Sequence, residues 1–240
     1  MFTTDYKLVS LPAVIVGGSL VLCAFVFSYT FYAVRSLDNT LSVTGSATQV
    51  ATADTAKWAI AVNRIVYDYE LANAYSEVAR DSAKVATFLT EGGVPEEAIT
   101  KGAIAVDEYW TNEGPRKVTV RQLVTVESDS VELIESLASN TVVLAQRAVQ
   151  FSPMMPEYYI STLPELRVSL LSDAVKDAEA RANEIASASG QSVGKLKSAQ
   201  GGVVQVLQNN SIDVADYGMY DTSTIEKEVM ITVRATFLVK

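Results

Sequence analysis

Histidine is absent from this 240-residue sequence, and cysteine occurs once, at Cys23. Without histidine there is no imidazole base and no histidine-activated nucleophile. Cys23 lies inside an apolar segment, so the rest of the chain has no thiol nucleophile, no disulfide and no metal site built from His and Cys ligands. The composition therefore excludes several common classes of hydrolase, redox protein and metalloprotein.

Negative charge exceeds positive charge, and the formal net charge is -9. Near the N-terminus Lys7 and Arg35 are balanced by Asp5 and Asp38, so the excess belongs to the sequence after residue 40. An acidic surface repels the phosphate backbone, and we therefore expect no nucleic-acid partner. The same surface would stay away from anionic lipid unless it were tethered.

One long apolar run is present, from residue 11 to residue 34, and its 24 residues include no charged side chain. As a helix it would be about 36 Å long, which is enough to cross a bilayer. A cleaved signal peptide is the alternative, but the run is long for one and no small-x-small cleavage site follows it. We therefore expect a short tail over 1–10, an uncleaved membrane anchor over 11–34 and a linker over 35–40.

The remaining residues, 41–240, predict a single domain in which strands and helices are mixed. Alternation or helical spacing of apolar residues predicts an order of β-β-α-β-β-α-β-α-β-β. The strands are predicted at 41–49, 58–66, 103–110, 118–126, 145–151, 195–199 with 202–208 (interrupted), and 229–239; the helices at 67–91, 130–139 and 163–189. The order favours the α+β class, with a mixed, mostly antiparallel sheet and helices packed on one face.

A stripe of alanines recurs every four residues on the last predicted helix, at Ala174, Ala178, Ala182 and Ala186. Residues four apart share one face of a helix, so the stripe lets another element approach closely. Two interpretations stay open. The stripe packs on the sheet of its own chain, or it forms an oligomer contact with another subunit.

A compact apolar segment contains Met154 and Met155 between two prolines, followed by Tyr158. Prolines break regular structure, so the segment is predicted to be a turn or loop. It either covers the core or forms an exposed patch for a partner.

Carboxylates suggest two further sites, but each has a simpler explanation. Glu96 and Glu97 follow Pro95 and are typical of the first turn of a short helix, although such a pair can act as acid and base. Asp213, Asp216 and Asp221 share a polar loop, but their spacing lacks the regular pattern and closing Glu of a calcium-binding EF-hand loop. No catalytic residue, metal ligand or cofactor site is assigned.

Several segments together resemble proteins of the SIMPL-domain family. The resemblance covers nearly all of residues 41–240. It rests on LSVTGSA followed by ADTAKWAI, on the G-V-P-E-E-A-I segment after the first long helix, on the 118–126 strand, on the spaced alanines and acids after Asp173, on G-K-L after Gly190, and on the closing strand. The resemblance implies a bacterial α+β protein of largely unknown activity, secreted to the periplasm or anchored facing it. It also implies assembly into large homo-oligomeric rings or cages, and it supplies no catalytic residues.

The leading hypothesis is a non-enzymatic, single-pass protein of the cytoplasmic (inner) membrane that self-assembles on the outer face of that membrane. A role in envelope integrity or stress tolerance is an expectation from the resemblance alone. One alternative is a membrane-tethered binding module for a partner protein or small ligand. Another is a carboxylate-dependent hydrolase. Charge does not determine the orientation, since one basic residue flanks each side of the apolar run.

Overall fold

The computed structural model of the chain describes residues 6–36, 39–109, 115–152, 154–211 and 217–240. Its α-helices are α1 (Tyr6–Ser36), α2 (Leu71–Glu91), α3 (Val131–Ser139), α4 (Val142–Gln146) and α5 (Leu163–Ala188). Its strands are β1 (Thr40–Thr52), β2 (Thr55–Tyr67), β3 (Ile99–Lys101), β4 (Ala105–Tyr109), β5 (Lys117–Ser128), β6 (Phe151–Ser152), β7 (Glu157–Tyr159), β8 (Val193–Gln208) and β9 (Glu226–Val239).

The strands form two sheets. One has three strands in the order β1-β9-β8, and the other has six strands built around β2 and β5. Every pairing in the six-stranded sheet whose register is known is antiparallel. The predicted α+β class and mostly antiparallel pairing are therefore confirmed, whereas the single predicted sheet is replaced by two.

The chain divides into two compact units, whose boundaries fall inside β1, α5, β8 and β9. The first unit contains residues 1–46, 171–202 and 232–240; the second contains 47–170 and 203–231.

The core of the second unit lies between the six-stranded sheet and the helices α2 and α3. Alternate residues of β2, such as Trp58 and Ile60, point to this side and are buried, because side chains along a strand alternate between two faces. Helix α2 contributes buried residues at helical spacing, among them Val78, Val85 and Leu89.

The first unit has a smaller core, in which α5 packs on the three-stranded sheet. Val43 of β1, Ala235 and Phe237 of β9, and Ala178 and Ala182 of α5 form one buried cluster. Small side chains on the helix allow it to lie close to the strands.

Most of the predicted elements are present, and the largest error is the strand predicted over 145–151. The structure instead has the short helix α4, a left-handed residue at Ala148 (φ 54°) and a strand of only two residues, β6. Val142 and Val143 are typical of strands, but the helical turn places Leu144 in the core with no exposed surface.

Smaller differences concern how segments are divided. The strand predicted over 103–110 is present as β4 (Ala105–Tyr109), and a further short strand, β3 (Ile99–Lys101), precedes it; both pair with β5. The predicted interruption near Gly201 is absent from the continuous β8. Helix α1 begins at Tyr6, earlier than predicted. Trp110, Asp213 and Asp216 lie outside the described residues.

Candidate functional site

The most distinctive feature of the first unit is the apolar surface of α1. A stretch of 23 residues, Pro12–Val34, has a mean hydropathy of 2.1 and is long enough to cross a membrane, and none of its residues is buried inside the protein. Phe25 and Phe27 are among the most exposed large apolar side chains. Within the described residues, no element buries this stretch of the helix, and a helix with this surface is stable in lipid.

The polar side chains of α1 are suited to the same environment. The Ser19 hydroxyl donates to the carbonyl of Val16, and the Thr30 hydroxyl donates to the carbonyl of Val26, each at 2.8 Å. These hydroxyls are satisfied within the helix, which lowers the cost of placing them in hydrocarbon.

The alanine stripe is buried within its own chain. Ala174, Ala178 and Ala182 have no exposed surface, and Ala186 is 2% exposed. A Cβ atom built on Gly45 of β1 would overlap the Ala174 carbonyl oxygen and the Ala178 nitrogen, so helix and strand are in direct contact. The stripe therefore packs on the sheet of its own chain, and these four residues present no surface for the oligomer contact that the sequence left open.

A hydrogen bond holds α5 beside β1, and an ion pair within α5 orients the carboxylate that accepts it. The backbone N–H of Ser46 donates to Asp177 Oδ2 at 2.8 Å, and the same oxygen lies 2.8 Å from Arg181 Nε. The Ser46 N–H and the Arg181 guanidinium lower the pKa of the Asp177 carboxyl. A strand N–H that bonds to a helix side chain is not bonded to a neighbouring strand.

The methionine segment is split between surface and core. Met155 is 77% exposed and Met154 is 48% exposed, but Tyr158 is only 6% exposed and belongs to the core of the second unit. Burial, followed by the nearby Glu135 carboxylate, raises the pKa of the Tyr158 hydroxyl. The predicted patch therefore consists of two exposed methionines beside one buried tyrosine, and it combines both interpretations left open by the sequence.

The two methionines line a groove of about 650 Å³, which we call the methionine groove. Its walls come from α3, from the methionine segment and from the residues before β9: Glu135, Ala138, Ser139, Met154, Met155, Pro156, Tyr158, Ser223, Thr224 and Ile225. The surface is mainly apolar, with one carboxylate, and is suited to a ligand that is apolar on one side and has a cationic or donor group.

Hydrogen bonds at both ends hold the methionine segment in place. The indole Nε1 of Trp58 donates to the Met154 carbonyl at 2.8 Å. Beyond the segment, the backbone N–H and hydroxyl of Ser161 each donate to Asp54 at 2.8 Å. Burial raises the pKa of the Asp54 carboxyl, but these hydrogen bonds outweigh burial and lower it. The exposed methionines are therefore carried on a firmly attached turn.

A buried lysine fixes the third wall of the groove. Lys227 has no exposed surface, and its Nζ donates to the backbone carbonyl of Asp221 at 2.6 Å and lies 3.5 Å from Asp221 Oδ1. Burial lowers the pKa of Lys227, and the Asp221 carboxylate partly opposes this. Burial alone would raise the pKa of Asp221, but hydrogen bonds from Ser223, Gln208 and Thr224 lower it to about 2.

A second buried charge lies on α2. Asp81 is 2% exposed, and its carboxylate lies 2.6 Å from Arg64 Nη2 and 2.9 Å from Lys84 Nζ. Lys84 also donates to the Arg147 carbonyl at 3.1 Å. The network ties β2, α2 and the end of α4 together.

Sequence reasoning missed both buried charges, although the spacing carried a signal for each. Lys227 has the same parity as buried Val229 and Ile231 along β9, and Asp81 falls on the buried face of α2 between Val78 and Val85. A charged residue at a core position is a candidate for a buried ion pair.

The remaining carboxylate candidate that the structure describes is the pair Glu96 and Glu97. Glu96 and Glu97 lie in a 3-10 turn directly after Pro95 with no buried residue, in agreement with the first-turn interpretation. Within the described ranges, no group of three or more His, Cys, Asp or Glu side chains is placed to hold a metal ion.

The fold and its surfaces define an α+β protein with two compact units and an N-terminal apolar helix. The sequence model of the SIMPL family, described as "Protein of unknown function (DUF541)", matches residues 41–237. This match covers more than half of the chain, and the protein belongs to the SIMPL family. No curated protein matches the sequence.

Proposed function

We propose that this chain is a membrane-anchored, non-enzymatic SIMPL-family protein that self-assembles into a homo-oligomeric ring or cage. In this proposal α1 spans the cytoplasmic membrane once, and the portion after α1 lies on the outer face, in the periplasm or at the cell exterior. The observation that carries the proposal is the exposed apolar surface of Pro12–Val34, none of whose residues is buried in the described protein. An apolar helix of this length with no protein cover is accounted for by lipid.

Anchoring also favours self-assembly. Copies held in one membrane have a high effective concentration, so weak lateral contacts become populated. Contacts between unlike surfaces of identical copies generate rings when the rotation closes. The strand edges of the three-stranded sheet are surfaces on which such contacts can form.

Light scattering coupled to size-exclusion chromatography tests the assembly. The full-length chain is purified in detergent and its protein mass is separated from that of the micelle. We expect a discrete multimer, and a clean monomer at all concentrations would overturn the proposal. A topology reporter fused after Lys240 tests orientation, and a reporter active only in the cytoplasm would overturn the outward placement.

A second candidate function is a membrane-tethered binding module, and the methionine groove is the observation that favours it. Met155 is the more exposed of the two groove methionines, and flexible thioether side chains adapt to apolar partners. A photo-crosslinking residue at position 155 would mark a partner in intact membranes. The double variant Met154→Ser/Met155→Ser should abolish binding of that partner, whereas Met219→Ser, a methionine outside the groove lining, should not.

A further inference from the structure

The methionine groove combines an apolar surface with negative charge on one wall, at Glu135 of α3. We propose that it binds a basic, amphipathic helix of a partner protein, with the apolar face of that helix on the methionines and a lysine or arginine at Glu135. This inference rests on the second candidate function, the tethered binding module, and names the class of its partner. The groove lies entirely in the second unit.

The charge of the α3 wall is negative and is not neutralised nearby. Glu132 lies one turn before Glu135 on the same side of α3, because residues three apart on a helix are neighbours. Both side chains are exposed, and neither forms an ion pair within the described residues. α3 contains no basic residue, and Lys227 behind the third wall is buried and held by Asp221. A wall of this kind attracts a basic partner and repels an acidic one.

Tyr158 is an independent indication of a ligand. It lines the groove and is only 6% exposed, but its hydroxyl has no hydrogen-bond partner in the described part of the chain. The Glu135 carboxylate acts on this hydroxyl electrostatically. A largely buried hydroxyl without a partner is unfavourable, and a donor from a ligand removes that cost. A lysine or arginine side chain has several N–H donors and can therefore bind both the carboxylate and the hydroxyl.

The openness of the apolar surface favours a helix over a small molecule. Sites for small molecules enclose most of the ligand surface, whereas Met155 is 77% exposed. Exposed methionines adapt to the apolar face of a bound helix, because the thioether side chain is flexible and polarisable.

The backbone around the groove favours a helix over an added strand. The N–H of Tyr158 donates to the Thr222 carbonyl at 2.8 Å. The Ile225 carbonyl accepts from the N–H of Ala53, also at 2.8 Å, and the Met154 carbonyl accepts from an indole. These groups are therefore not open to an extended chain. A helix satisfies its own backbone hydrogen bonds and binds through side chains.

Nuclear magnetic resonance of methionine methyl groups tests the proposal on the full-length chain. The chain contains five methionines, so methyl labelling gives few signals. The protein is placed in nanodiscs of zwitterionic phosphatidylcholine. The probe is a peptide of about 14 residues, roughly four helical turns, with leucine on one face and lysine on the other. The matched peptide has glutamate in place of lysine, and empty nanodiscs measure the peptide taken up by lipid.

Three variants test the contacts. Tyr158→Phe removes only the hydroxyl, and Glu135→Lys reverses the charge of the α3 wall. Glu97→Lys makes the same change of charge at a residue outside the groove lining and is the matched control. Circular dichroism and thermal unfolding confirm that each variant is folded.

We expect the lysine peptide to shift the methyl signals of Met154 and Met155 and to leave those of Met219 and Met230 unchanged. The glutamate peptide should shift none of the four. Equal binding of the two peptides would overturn the basic partner and leave the groove as a binding surface. If neither peptide shifts Met154 or Met155, the helical partner is overturned, and crosslinking at position 155 decides the second candidate function separately.

The variants have distinct expected effects. Glu135→Lys should weaken binding of the lysine peptide about tenfold and admit the glutamate peptide. Tyr158→Phe should weaken binding of the lysine peptide by about three- to tenfold, and Glu97→Lys should leave it unchanged. Equal losses in Glu135→Lys and Glu97→Lys would overturn recognition at the α3 wall. Full affinity in Tyr158→Phe would overturn the binding of one basic side chain by both groups.

Discussion

Gly45 of β1 and Ala174 of α5 are in direct contact, with no space for a side chain between strand and helix. A Cβ atom on Gly45 would overlap the Ala174 carbonyl oxygen and stand 2.7 Å from the Cβ of Ala178. The close approach of strand and helix therefore requires both the glycine on β1 and the alanines on α5. The close approach buries the alanine stripe and holds Asp177 next to the backbone of Ser46.

This contact predicts a large effect for a small substitution. Gly45→Ala should lower the free energy of unfolding by about 1 to 3 kcal/mol or more, because the overlapping atoms belong to backbone and cannot move aside. Gly201→Ala in the same sheet is the control, since its Cβ would meet only Leu171 Cδ1 at 3.6 Å, an ordinary contact. Urea unfolding of the detergent-solubilised chain measures both, and equal effects would contradict the close-packing account.

The buried carboxylate of α2 predicts a second contrast between matched variants. Asp81→Asn removes the buried negative charge that Arg64 and Lys84 share, leaving Arg64 with Glu77 and Lys84 with the Arg147 carbonyl, and it should destabilise the protein by about 2 to 4 kcal/mol. Asp173→Asn removes an exposed ion pair with Lys176 on another helix, and it should change stability by no more than about 0.5 kcal/mol. Thermal unfolding of the two variants side by side is the measurement. A small effect at Asp81 would show that the network adds little to stability.

The Asp221 carboxylate predicts loss of stability in acid. Its pKa falls from an ordinary value of 3.8 to about 2, so the folded protein binds this proton less readily than the unfolded chain does. The resulting stabilisation, about 2 kcal/mol, is present above the unfolded pKa and is lost as the pH falls toward the folded pKa. When the pH is lowered from about 5 to about 2, the free energy of unfolding should fall more in the wild type than in Asp221→Asn. Parallel curves for the two proteins would contradict this assignment.

The buried lysine predicts a related loss of stability. Lys227→Met removes the donor to the Asp221 carbonyl and should destabilise the protein by about 1 to 3 kcal/mol. Because this lysine holds the segment that includes Ser223 and Thr224, hydrogen exchange should increase at these residues first. Uniformly increased exchange throughout the second unit would instead indicate a general effect on the core.

Strong periodicity allowed much of the fold to be predicted from the sequence. The alternation in β9 and the helical spacing in α2 and α5 mark long elements that are half buried, where one face must be apolar. The short helix α4 could not be predicted, because two β-branched valines favour a strand locally and only the burial of Leu144 favours the helical turn.

The candidate surfaces were harder to predict than the fold. The sequence shows that the alanine stripe is smooth, but the glycine it meets lies far away along the chain, at Gly45. Similarly, Met155 and Tyr158 share one segment, and only the tertiary structure shows that the tyrosine is buried and the methionine exposed. Packing between residues that are distant in the sequence determines both results, and a local sequence pattern does not predict such packing.

The central claim is that α1 remains attached and lies in lipid, and membrane extraction with N-terminal sequencing tests it most directly. Membranes that contain the full-length chain are washed with high salt and then with alkaline carbonate, and the N-terminus of the retained protein is determined. We expect the chain to stay in the membrane pellet through both washes with residues 6–36 intact. A chain that begins after Ser36 and is released by salt would contradict the account.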